Sequence, residues 1–130
     1  MIEEGIVQLV NANAAVKALV PNGGYMTQLP QNMILPTWSH QAISELPDHN
    51  LSGASGTKMR RLQIDCYGSQ VQTIQIAKAI NKVLDGFTGA LPDADATFIQ
   101  SCLQANLIDF YDDVPRTYHR MLEFEIWYDA

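Results

Sequence analysis

Over the first twenty residues the apolar positions Ile2, Ile6, Leu9, Val10, Val16 and Val20 recur at spacings of three and four, with Asn13 in the same row. That period predicts an amphipathic helix running to about Leu19, its first turn carrying Glu3 and Glu4 where the helix dipole favours negative charge. Pro21-Asn22-Gly23-Gly24 stops it. From Tyr25 to Pro36 the pattern is that of an extended arm, because Pro30 and Pro36 exclude helix and confine any strand pairing to a sheet edge. A strand follows over Thr37 to Leu46, with imperfect alternation, since Trp38, Ala42 and Ile43 do not share one face. The polar stretch Pro47 to Thr57 reads as a loop. Beyond it the alternation is strict: Leu62, Ile64 and Cys66 point one way, and Arg61, Gln63, Asp65 and Tyr67 the other. Ser69 with Gln72 forms a capping-box signature. Val71, Ile74, Ala77, Ile80, Val83, Leu84 and Phe87 then supply the stripe of a second helix, from about Gln70 to Asp85. A strand over Thr97 to Leu107 places Ile99, Leu103, Ala105 and Leu107 on one face, and the acidic, proline-containing segment Asp109 to Arg116 connects it to the last strand. There, over Thr117 to Tyr128, Leu122, Phe124, Ile126 and Tyr128 face inward, opposite His119, Met121, Glu123, Glu125 and Trp127.

This order of elements predicts an α+β fold, an antiparallel β-sheet with two α-helices packed on one face. With 130 residues, residues 1–130 are expected to form a single domain around one core. The opposite face of the sheet mixes Tyr67, Met121 and Trp127 with charge, which is either scattered exposure or part of a subunit interface.

Charge narrows the functional classes. Fourteen acidic against eight basic residues give a net charge of −6, which argues against gripping a phosphate backbone. No apolar run approaches the ~18 residues of a membrane span, and the N-terminal MIEEG is acidic where a secretory signal is basic, so the expected setting is the cytoplasm. Cys66 and Cys102 sit in strand-like apolar surroundings and are read as buried free thiols. His40, His49 and His119 have no carboxylate or cysteine at a ligand spacing and are read as hydrogen-bonding or solvated. Asp109, Asp112 and Asp113 lack the glycine and terminal glutamate of a calcium hand, and the glycines of Gly53 to Gly56 lack the lysine and following helix of a phosphate cradle. No metal, cofactor or catalytic residue is assigned, and an enzyme is not expected.

Five segments taken in order carry a resemblance: IEEGIVQLVNANAAVKALV, QLPQNMILPTW, LSGASGTKMRRLQIDCYG, AKAINKVLDGFTG and RMLEFEIWY. Together they resemble the phage tail-completion proteins, the family of tail terminators and tail-to-head joining proteins. The resemblance implies a structural virion protein at the head-proximal end of the tail. It implies a homohexameric ring that ends tail-tube polymerisation, contacts the tail tube protein and the head-tail connector or stopper, and passes DNA through its lumen without specific binding.

A ring between two other rings reaches its axial neighbours through protruding segments. The loop offers Leu51 and Ser52, with Lys58, Arg60 and Arg61 at its base. The arm offers Tyr25, Met26, Leu29, Met33, Ile34 and Leu35, which are more apolar than a free loop, and the sheet's outer face offers Trp127. The alternative reading is a cytoplasmic adaptor that binds a peptide at a sheet edge.

Overall fold

Asn13 divides the first amphipathic segment in two. Its side-chain oxygen accepts hydrogen bonds from the backbone N–H groups of Ala15 at 3.0 Å and Val16 at 3.2 Å, and its backbone is extended, with φ −71° and ψ 127°. An asparagine that caps the next turn competes with continuation of the preceding one. Periodicity predicts one helix to Leu19; the structure has two, α1 (Ile2–Ala12) and α2 (Ala14–Leu19). The structure is a computed structural model and describes residues 2–21, 23–26, 35–50, 53–112 and 117–129.

The third helix, α3 (Gln70–Leu84), starts on the predicted capping box. The Gln72 N–H donates to Ser69 Oγ at 3.2 Å, and the Ser69 N–H donates to Gln72 Oε1 at 2.9 Å. Its buried arc is turned from the predicted stripe. Thr73, Ile76, Ala77, Ala79, Ile80 and Leu84 are buried, whereas Val71 and Ile74 are exposed at 63% and 39%. The helix touches the sheet on one side and α1 and α2 on another, so the arc widens to take in Ile76 and Ala79 and abandons the first turn.

Six strands form one sheet in the order β1-β2-β3-β6-β5-β4: β1 (Tyr25–Met26), β2 (Thr37–Asn50), β3 (Gly53–Gly68), β4 (Gly89–Ala90), β5 (Phe98–Asp112) and β6 (Thr117–Asp129). All neighbours are antiparallel except β1, which runs parallel to β2 at the edge that the arm's prolines allow. The fold is α+β, with three helices among the described residues where two are predicted. At the centre, Leu62, Ile64 and Cys66 of β3 and Leu122, Phe124, Ile126 and Tyr128 of β6 are buried, as their alternation demands. They join Ile6 and Val10 of α1, Val16 of α2 and Ile80 and Leu84 of α3 in one core. Trp38 lies in it fully buried. Its indole is pressed so closely on Gly24 that a Cβ there would sit 2.1 Å from Trp38 Cε2, so only glycine fits.

Two predictions fail for a common reason, irregular pairing. β5 carries register shifts between Ile99 and Ser101 and between Gln104 and Asn106, and each extra residue reverses which face the following side chains take. Ile99 and Cys102 are buried; the first shift turns Leu103, paired with Glu125, to the face away from the core, and the second returns Leu107, paired with Leu122, to the side of Ile99, where it stays 42% exposed, which corrects the predicted face Ile99, Leu103, Ala105, Leu107 at Leu103. The predicted loop Pro47 to Thr57 is mostly strand: Pro47 pairs with Lys58, His49 with Ala54 and Asn50 with Gly53. A register shift between Pro47 and His49 accommodates the proline. Asp109 likewise belongs to β5 and not to a connection.

Candidate functional site

The pairing of β3 defines a protruding feature. β3 meets β6 from Gly68, opposite Tyr118, to Thr57, opposite Asp129. Gly53 and Ala54 pair with β2 alone, so the β2–β3 hairpin continues beyond the last pair with β6 as a two-stranded ribbon. Leu51 and Ser52, at its turn, lie outside the described residues.

A part-buried charge cluster sits at the root of this ribbon. Arg60 of β3, with a side chain only 12% exposed, donates from Nη1 to Glu3 of α1 at 2.5 Å and from Nε and Nη2 to Glu45 of β2 at 3.2 and 2.9 Å. It also lies 5.7 Å over the Tyr128 ring, and the Tyr128 hydroxyl donates to Glu45. Burial opposes charge on Arg60, but its bonds to Glu3 and Glu45 outweigh burial and hold its pKa above the ordinary value. The Tyr128 hydroxyl and then Arg60 hold Glu45 below the carboxylate range, and burial with the bond to Glu45 pushes Tyr128 up to about 12. Lys58 lies 3.6 Å from Glu45. Arg61, on the other face, bonds Glu123 at 3.2 Å and lies 3.9 Å from Glu125. Of the basic residues proposed as contacts, Arg60 and Arg61 are thus engaged within their own chain.

Sequence reasoning missed the constellation on the open face. His119 of β6 and Asp65 of β3 are 54 residues apart, and only the register that sets Tyr67 opposite His119 brings them together. His119 Nε2 is 2.6 Å from Asp65 Oδ1, and the Gln63 amide donates to both Asp65 oxygens at 3.0 Å. The imidazole stacks on Tyr67 at 4.5 Å between ring centroids and meets Phe110 at 5.3 Å. A histidine held between two rings and a carboxylate ties β3, β6 and β5 into one surface, and no single-strand pattern signals it. On the same face Glu123 and Glu125 share the Arg61 guanidinium, and Trp127 is 38% exposed.

The sheet's edges differ in how they are finished. The upper part of β5 is covered: the Gly86 N–H donates to the Cys102 carbonyl at 2.7 Å, and the Gln104 N–H donates to the Asp85 carboxylate at 2.9 Å. β4 pairs only at Phe98 and Ile99. From residue 106 to 112 the outer side of β5 has no strand beside it among the described residues, and on the opposite edge β1 covers β2 only at Ser39 and His40. Of the arm, Tyr25 and Met26 form β1 and Leu35 is 40% exposed; Leu29, Met33 and Ile34 lie outside the described residues.

Among the described residues no three histidine, cysteine or acidic side chains converge in a metal-binding group, and no helix is long and apolar enough to cross a membrane. Cys66 and Cys102 are buried free thiols, and burial raises both pKa values, that of Cys102 to about 12.

Residues 4–129 match the family model described as tail completion protein gp17. Among solved structures, a chain from the virion of a native gene transfer agent particle is similar to this one over 99% of this chain and 95% of that chain. Its TM-score is 0.83 at 14% sequence identity, a likeness of fold. No curated protein matches the sequence.

Proposed function

Because the chain belongs to the tail completion protein gp17 family, with a structural role in a phage tail, we propose that it acts as a homomeric ring at the head-proximal end of the tail tube. There it halts polymerisation and joins the tail to the head connector. The observation that carries this reading is a pair of strand edges on opposite sides of one sheet, along β2 beyond Ser39 and His40 and along residues 106–112 of β5, that have no strand beside them among the described residues. Exposed edges template pairing with another chain, and two different edges on one molecule support head-to-tail contacts, which close into a ring when the rotation closes. A peptide adaptor would use one edge and leave the other unexplained.

The ribbon and the open face fit the same reading. A two-stranded projection tied at its root by the Arg60–Glu3–Glu45 ion pairs can reach an axial neighbour, and it takes over the contact role expected of the polar loop. An open face with an excess of carboxylates denies a passing DNA a grip, which suits a lumen. The role is structural and calls for no cofactor. Mass photometry of the purified protein tests the ring: the expected species holds six copies of the 14.5 kDa chain, and a monomer up to the highest soluble concentration would refute it.

A further inference from the structure

Charge is divided between the two layers of the molecule. All fourteen carboxylates lie outside residues 5–20 and 69–84, the stretches that hold α2, α3 and most of α1. The charges within those stretches are Lys17, Lys78 and Lys82, all exposed and none with an ion-pair partner among the described residues. Lys78 and Lys82 flank an open groove of about 470 Å³ between α2 and α3, lined also by Ala15, Ala18, Leu19 and Ala79. The alanines let a large ring approach the helices closely, and the lysines favour an anionic or aromatic guest. The open face of the sheet carries the complement at one corner. There Ser101 pairs with Trp127 and Leu103 with Glu125, and Leu103 and Trp127 are exposed at 56% and 38%. Glu125, its side chain 45% exposed, lies 3.9 Å from Arg61, whose guanidinium bonds Glu123 at 3.2 Å. Asp129, two residues beyond Trp127 and so on the same face, is exposed and accepts a hydrogen bond from the neutral Gln100 amide. The corner combines exposed apolar area with surplus negative charge.

We infer that this corner of one protomer packs on the α2–α3 groove of another, Trp127 entering between the helices while Lys78 and Lys82 pair with Glu125 and Asp129. The inference rests on the ring reading and names the surfaces by which copies of the chain meet. The occupant is a second copy because groove and corner are opposite in charge and both present apolar area. They stand on opposite sides of the sheet, so they cannot meet within one chain. At −6 per chain, two copies repel in most orientations, and the lysine layer of one facing the carboxylate corner of the other is the orientation in which attraction prevails. A tryptophan seated among small side chains and ringed by charge pairs is the usual energetic centre of such a contact. Phe110 and His119, at the other end of the open face, take no part.

Lys78→Glu with Lys82→Glu reverses the groove, and Glu125→Lys with Asp129→Lys reverses the corner; all four side chains reach solvent, so the variants should melt close to wild type. Each pair should raise the concentration at which mass photometry detects oligomers by about tenfold or more. The chain carrying all four changes should return to within about threefold of wild type, because the charges are again opposite across the contact. Trp127→Ala should weaken assembly as much as either pair. Wild-type assembly by the groove variant or by Trp127→Ala overturns the inference and leaves the ring intact. So does a fourfold variant that melts like wild type and fails to recover assembly. A wild-type protein that stays monomeric at every concentration overturns the ring reading and this inference with it.

Discussion

His40 is 1% exposed, and its Nε2–H donates to the Glu3 carbonyl at 3.1 Å, pinning α1 to β2. Burial lowers its pKa below 6.5. The native state therefore holds it neutral while the unfolded chain takes up a proton near 6.5, so its contribution is complete above that pH and declines as pH falls toward the depressed value. Glu3 and Glu45 are held below 4.5, Glu3 by Arg60 against burial and Glu45 by Tyr128 and Arg60, so their contributions are present above 4.5 and are lost below it. The melting temperature should fall in two stages on acidification, and His40→Gln should abolish the first; a melting temperature constant from pH 7 to 5 would contradict this. Phe124→Ala, at a fully buried position, should cost about 3–5 kcal/mol in urea unfolding, a large share of the roughly 5–15 kcal/mol of a typical domain. Gly24→Ala should displace Trp38 and lower the melting temperature comparably, read out by the indole's fluorescence.

Elements were legible where one rule acted alone. The capping box placed the start of α3 to the residue, and the alternation of β3 and β6 identified the central core because these two strands pair with each other without interruption. Legibility failed where a local device interrupts a period. Asn13 supports a helical stripe and caps the next helix, and only its backbone geometry decides between them. The first shift in β5 turns Leu103, which periodicity counts as inside, to the opposite face. The ribbon was invisible because Pro47 to Thr57 carries no alternating apolar positions and Leu51 is its one large apolar residue. Its independence from the core yields a prediction. Replacing residues 48–57 by Asn-Gly, which favours a tight hairpin turn, should leave the melting temperature within a few degrees of wild type while tails fail to join heads in a complementation assay. Normal infectious titre would remove the ribbon from the joining surface.

At the scale of the whole molecule, family membership and fold were readable from the succession of segments, whereas the site was not. Arg60 looked like a surface contact and is sequestered by Glu3 and Glu45. The His119 clamp arises only when strands distant in sequence are laid side by side. Net charge, by contrast, needs no fold to read. At −6 per chain, filter binding at physiological salt should detect negligible affinity for duplex DNA, and tight binding would argue against a lumen that lets DNA slide. The most direct test of the central claim is electron microscopy of lysates from a phage that cannot make this protein. The account predicts filled heads beside separate tails of irregular, overgrown length, with joining restored when the protein is supplied. Tails of normal length attached to heads in its absence would contradict it.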